Sequence, residues 1–248
     1  MQLDGRIALV TGASRGIGAA IARELAAEGA RVVVNYQNNA DAANAIIDEI
    51  RTAGGQAHAV AADVSNQEDV TRLLQATEEH FGGLDILVNN AGIWIPGRMG
   101  DVTFADWRKQ MAVNLDSMFL CVTAALQMLR KSKAGRIISI SSRCARKGEE
   151  NSGPYVATKA AMLGLTRTLA LELGHDGITA NCVAPAWTAS DMTDDYFQQH
   201  GNLDEVLKTI PLGRIGQPED IAKAVVYLAS DASGYMSGET LFLAGGAI

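Results

Sequence analysis

Two patterns of hydrophobic and polar positions alternate along this chain. Short runs of apolar, β-branched residues predict strands buried on both faces. Longer stretches with apolar residues every three or four positions predict helices with one apolar stripe. Ile7–Val10 is a strand with glycine on both sides. Residues 17–28 follow as a helix carrying Ile17, Ile21 and Leu25, stopped by Gly29. Val32–Val34 is the next strand. Residues 41–53 put Ile46, Ile47 and Ile50 on one helical face before Gly54 and Gly55, and His58–Ala61 is a weaker strand. Ser65 with Glu68 predicts a capping box opening a helix with Val70, Leu73, Leu74 and Phe81, ended by Gly82 and Gly83. After the strand Ile86–Val88, Thr103 with Asp106 predicts a second capping box and a long helix to about Arg130. Then come strand Arg136–Ile140, helix 154–173, strand Ile178–Val183, helix 218–230 with Pro218 in its first turn, and strand Thr240–Leu243.

Strand–helix alternation at this spacing predicts an α/β fold: a single-domain, doubly wound parallel sheet of about seven strands with helices on both faces, filling residues 1–248. The stretch 188–216 breaks the pattern. It is irregular, partly polar and carries Tyr196 and Phe197, so it reads as a mobile lid over a site.

Composition narrows the function. Glycine is in excess (25 residues) while proline is scarce (5), which points to many tight turns rather than to linkers. A net charge of −7 without a basic run argues against nucleic acid as a partner. No leader-like segment and no continuous apolar stretch of about 18 residues is present, so neither secretion nor a membrane span is expected. Cys121, Cys144 and Cys182 fit buried thiols in a reducing cytoplasm. His58, His80, His175 and His200 show no ligand spacing, so no metal site is expected.

The first β–α turn, Thr11-Gly12-Ala13-Ser14-Arg15-Gly16-Ile17-Gly18, has the chemistry of a pyrophosphate cradle. Its glycines permit a tight turn and close backbone approach, and the following helix N-terminus offers unpaired N–H groups. This TGxxxGxG spacing resembles the short-chain dehydrogenase/reductase family, and the resemblance runs the length of the chain. Asp63-Val64 matches the family's adenine-contacting pair, Asn89-Asn90-Ala91-Gly92 its NNAG after strand four, and Tyr155-Val156-Ala157-Thr158-Lys159 its YxxxK. Ser142 and Asn114 stand at the family's spacing before that tyrosine. The layout is similar to that of 3-oxoacyl-acyl-carrier-protein reductases.

Tyrosine ordinarily titrates near ~10, and a cation one helical turn away at Lys159 is expected to lower that value. The resemblance implies that Tyr155 exchanges the proton, that Lys159 also holds the nicotinamide ribose, that Ser142 orients the substrate oxygen, and that Asn114 anchors a proton-relaying water. Ser142 alone equally reads as a strand-end hydroxyl satisfying backbone. Asn114 lies within an apolar helical stripe, where its cost to the helix asks for a reason. Strand two ends Asn35-Tyr36-Gln37 with no acid to repel a 2′-phosphate, and Arg15 stands where one could be met. NADP(H) is therefore preferred, with NAD(H) still possible. The cofactor set is Gly12, Ser14, Arg15, Gly16, Ile17, Gly18, Asn35, Tyr36, Asp63, Val64, Asn90, Ala91, Gly92, Tyr155, Lys159, Pro185, Ala186 and Thr188.

The family's Pro-Gly after strand six is Pro185-Ala186 here, which is strained if that position needs positive φ. Trp94, Ser142, Cys144, Glu150, Trp187, Met192 and Tyr196 are candidates for the substrate pocket, although the aromatics also suit core or lid packing. A carbonyl or secondary alcohol substrate is expected, with an acyl-carrier-bound 3-oxoacyl group as the alternative. Arg130, Lys131, Lys133 and Arg136 could dock such a carrier or simply complement a helix C-terminus. An NAD-dependent sugar or polyol dehydrogenase and a non-catalytic dinucleotide sensor are weaker readings. The resemblance also implies a homotetramer pairing helices 104–131 and 154–173.

Overall fold

Strand β1 (Ile7–Val10) sends Ile7 and Leu9 to one face and Ala8 and Val10 to the other, and all four are buried. Such a strand is stable only where helices cover both faces. The computed structural model, which describes residues 1–247 (Gln199 and His200 by backbone alone), shows this for the central strands. Beside β1 lie β2 (Arg31–Tyr36), β3 (Gln56–Ala61), β4 (Ile86–Asn89), β5 (Arg136–Ile140), β6 (Thr179–Pro185) and β7 (Thr240–Leu243). They form one sheet in the order β3-β2-β1-β4-β5-β6-β7, with every pairing parallel. The order reverses between β1 and β4, which opens a crevice above the carboxyl ends of these two strands.

Helices α1 (Gly16–Ala27), α2 (Ala40–Thr52) and, near the C-terminus, α10 (Pro218–Ala229) pack one face with Ile21, Leu25, Ile46, Ile50, Ile221 and Val225. Helices α3 (Gln67–Phe81), α5 (Ser117–Lys131) and α7 (Gly153–Leu173) pack the other with Leu73, Met118, Val122, Leu129, Met162 and Leu169.

Several local expectations are corrected. Asn66, not Ser65, caps α3: its Oδ1 accepts from the Glu68 and Asp69 N–H groups, while Ser65 Oγ donates to Asp63. The Thr103 cap does form, at the start of α4 (Phe104–Met111). The long helix is not continuous, because a π-helical turn, Ala112–Asp116, separates α4 from α5. The sixth strand runs past Val183 to Pro185. The stretch 188–216 is largely ordered into α8 (Asp191–His200) and α9 (Leu203–Lys208), with Ser190 and Thr193 forming a reciprocal cap on α8. A short α6 (Cys144–Lys147) follows β5.

The run Phe104–Lys131 is long and apolar enough to cross a membrane, which the absence of a continuous apolar stretch did not foresee. Its 18-residue core has a mean hydropathy of 1.4 and is 44% buried within the fold.

Candidate active site

The glycine turn is built against the end of β4. Gly12 has φ +61°, and a Cβ there would stand 2.9 Å from Ala91 Cα. A Cβ on Gly18 would stand 2.5 Å from both Asn90 Nδ2 and Gly12 O. Side chains lock this approach. Thr11 Oγ1 accepts from the Asn90 and Ala91 N–H groups at 2.9 and 3.0 Å, and Asn90 Nδ2 donates to the Thr11 and Gly12 carbonyls. No side chain caps α1, and no acid lies in its first turn, so these N–H groups are left for an anion. The turn therefore fits a dinucleotide pyrophosphate.

Tyr155, Lys159 and Ser142 converge at the carboxyl end of β5. Ser142 lines the same cavity as Tyr155 and accepts from the Cys144 N–H at 3.3 Å. Lys159 is buried, and its Nζ donates to the Ile140 carbonyl at 2.7 Å, 5.6 Å from the centre of the Tyr155 ring. Burial pushes the Lys159 ammonium down to about 8. Burial pushes the Tyr155 hydroxyl well above the usual tyrosine range, the Cys144 thiol raises it further, and the Ser142 hydroxyl pulls it back. The expected lowering of Tyr155 by Lys159 is thus overturned for the free site: desolvation outweighs a cation that lies over the ring and is engaged elsewhere.

Asn114 sits in the π-helical turn, and this supplies the reason its position asked for. Its Oδ1 accepts from the Ile93 N–H at 2.8 Å. Its Nδ2 donates to the Ile93 carbonyl at 2.9 Å and to Thr158 Oγ1 at 3.2 Å. Thr158 in turn donates to the Tyr155 carbonyl. Asn114 thereby ties the loop after β4 to the tyrosine's helix, and a Cβ on Gly92 would meet Asn114 Oδ1 and Lys159 Nζ at 3.4 and 3.5 Å. The bridging roles of Thr11 and Thr158 are not legible in the sequence, since a threonine within a motif carries no signal of what its hydroxyl bonds.

Other expected contact residues are placed differently. Asn35 is buried and spent. Its Oδ1 accepts from the Gly12 N–H, and its Nδ2 donates to the Ala62 and Val60 carbonyls, so it braces the glycine turn rather than facing a ribose. Tyr36 remains at the strand end, and Asp63 accepts from Gln37 and Ser65. Val64 packs into the core. The Thr188 hydroxyl is turned inward onto the Ala186 carbonyl. Ala186 is not strained: Asn151 is the one non-glycine residue with positive φ among those described. Exposed Arg15 pairs with Asp191 of α8 at 2.9 Å.

Beside Tyr155 lies a cavity of about 90 Å³ whose lining includes Trp94, Ser142, Cys144, Trp187 and Met192. Glu149, not the exposed Glu150, brings a carboxylate to it, and Thr193 and Ser152 also line it. Tyr196 stacks on Trp187 behind the wall at 5.2 Å. Among the described residues no group of three metal-ligating side chains is assembled; the His200 side chain lies outside them.

A family model described as enoyl-(acyl carrier protein) reductase matches residues 12–247. The fold matches a short-chain dehydrogenase from Burkholderia cenocepacia, solved in complex with NADP, with a TM-score of 0.94 at 37% identity; the match covers 100% of this chain and 99% of that one. The chain is a short-chain dehydrogenase/reductase. It is an oxidoreductase of carbonyl and alcohol groups. This short-chain dehydrogenase/reductase is 42% identical to a 3-oxoacyl-acyl-carrier-protein reductase from Synechocystis, over 99% of this chain and 98% of the relative. It is 38% identical, over 99% and 98%, to a hydroxy(phenyl)methylsuccinyl-CoA dehydrogenase subunit from Thauera aromatica.

Proposed function

We propose that this enzyme reduces a small ketone, or oxidises the corresponding secondary alcohol, with NADP(H). The observation that carries this reading is the convergence of Tyr155, Ser142 and Lys159 at one end of a cradle fitted to a dinucleotide. A reduced dinucleotide bound there supplies the hydride that the carbonyl carbon receives. The turn from Ser14 to Gly18 would hold its phosphates, Asp63 would border the adenine with Val64 packed into the core beneath, and Lys159 would reach the ribose. Ser142 fixes the carbonyl oxygen. Tyr155 stays protonated in the free site and gives its proton to that oxygen. Asn114 holds the relay in place through Ile93 and Thr158.

The 2′-phosphate preference rests on the end of β2, where neither Tyr36 nor Gln37 is acidic, although Asp63 accepts from Gln37, and on exposed Arg15, which a 2′-phosphate would have to draw from Asp191. Arg15→Ala is expected to weaken NADPH binding on the order of tenfold while leaving NADH nearly unchanged. Fluorescence titration of both cofactors checks this, and equal losses would remove the assignment.

An acyl-carrier-bound 3-oxoacyl substrate is the second reading, favoured by the name of the Synechocystis relative. The basic cluster gives it little support. Arg130 pairs with Asp176 at 2.8 Å, Lys131 lies 3.7 Å from Glu78, and Arg136 is buried beside Asp231. Cations neutralised within the chain attract an acidic carrier weakly.

Helices α8 and α9 are read as the lid. The outer face of α5 and α7, with exposed Phe119 above Leu115, Leu120 and Leu165, is read as a pairing surface in a homotetramer rather than a lipid-facing one. The enzyme is read as cytoplasmic, without nucleic-acid or membrane partners.

A further inference from the structure

The cavity beside Tyr155 has an unusual wall. Aromatic residues make up 5% of the chain, yet Trp94, Tyr155, Trp187, Tyr196 and Phe197 form one continuous ring cluster here. Trp94 lies 6.4 Å from Tyr155, 6.3 Å from Trp187 at 69°, and 5.1 Å from Tyr196. The Trp94 indole N–H donates to buried Ser152 Oγ at 3.0 Å, so its one polar atom is satisfied and the ring is held in place. Charge at the rim is partly compensated: Glu149 lies 3.1 Å from Lys147 and 3.9 Å from Arg143, which also lines the cavity, so one carboxylate faces two cations.

Size adds a second constraint. About 90 Å³ is the room of roughly three waters, far below the roughly 300–1,000 Å³ of sites that enclose drug-sized ligands. The cavity opens to solvent, so a long chain would extend out of it, and a group larger than the cavity that packs beside Tyr155 shifts part of the aromatic wall. Ring pairs at these distances and tilts are favourable beyond their buried area. An aryl group replaces the ring contacts it breaks with contacts of the same kind, whereas an alkyl group breaks them without replacement.

We infer that the substrate is a compact aryl ketone, or its benzylic alcohol, whose ring packs against Trp94 and Trp187 while its carbonyl reaches Ser142 and Tyr155. The inference rests on the carbonyl-reductase reading above and assigns specificity to Trp94 and Trp187.

The test measures kcat/KM with NADPH for acetophenone and for octan-2-one, matched in carbon number, with diacetyl as a small ketone lacking a ring. The expected result is a preference for acetophenone on the order of tenfold. In Trp94→Leu and in Trp187→Leu this ratio falls towards one, while Trp94→Phe keeps most of it. NADPH binding by each variant shows that it has folded. Reduction of diacetyl without an aryl preference in the natural protein overturns this inference alone. A preference that survives both leucine substitutions overturns the assignment to these two rings. Failure to reduce any of the three ketones overturns the carbonyl-reductase reading, and this inference with it.

Discussion

Tyr155 and Lys159 show how much of a site one helical turn specifies. Their spacing on α7, and the position of Ser142 thirteen residues earlier, were legible because a parallel sheet delivers its strand ends to one crevice. Their ionisation was not legible, because it depends on burial and on partners far away in the chain. Lys159 is engaged by the Ile140 carbonyl and pushed down to about 8, so it is charged below that pH and neutral above it. If its charge assists proton delivery from Tyr155, kcat/KM for ketone reduction is flat at lower pH and declines as pH rises through about 8. A profile that stays flat through that range would separate the lysine's charge from the chemistry. Asn35 teaches the converse. Placed at the strand end where a cofactor-reading residue is expected, it turns inward instead, where it accepts from the Gly12 N–H and donates to the Val60 and Ala62 carbonyls.

At the scale of elements, hydrophobic periodicity located every strand and the main helices, since each buries a face whose repeat is visible in the chain. It failed where geometry depends on polar detail. The π-helical turn at Ala112–Asp116 leaves the apolar stripe on either side intact, so nothing in the stripe announces it. Helices α8 and α9 are not legible in the hydrophobic pattern because they are short and largely polar, and their stability draws on caps such as Ser190. Between β3 and α3, the His58 and His80 rings stack at 3.9 Å. Burial lowers His58 from 6.5, with smaller contributions from the charges of His80 and Arg51. The folded chain thus binds fewer protons there than the unfolded chain, so the stability this pair supports is complete above pH 6.5 and declines as pH falls below it. Urea midpoints measured on both sides of that value should drop on acidification, and drop less in His80→Gln. An equal drop in both proteins would place the acid sensitivity elsewhere.

The whole molecule is one sheet whose order reverses between β1 and β4, and the site is what gathers at that reversal. Topology and the catalytic set follow from patterns along the chain; the cavity does not. Its walls come from the loop after β4, the segment after β5, the start of α7, the turn after β6 and the start of α8, five segments whose mutual placement no local spacing encodes. Assembly belongs to this scale too. If the apolar outer face of α5 and α7 pairs copies of the chain, light scattering gives a particle larger than one chain, four chains if the homotetramer implied by the family resemblance forms, reduced in size by Phe119→Asp; a monomeric natural protein would contradict the pairing. The claim on which the rest depends is that Tyr155 is the proton donor of a dinucleotide-dependent reductase. It is tested most directly by NADPH oxidation with Tyr155→Phe on a ketone that the natural protein reduces, with NADPH affinity measured on the same sample. The account predicts a loss of turnover of at least about a hundredfold with NADPH affinity nearly unchanged; turnover close to that of the natural protein would contradict it.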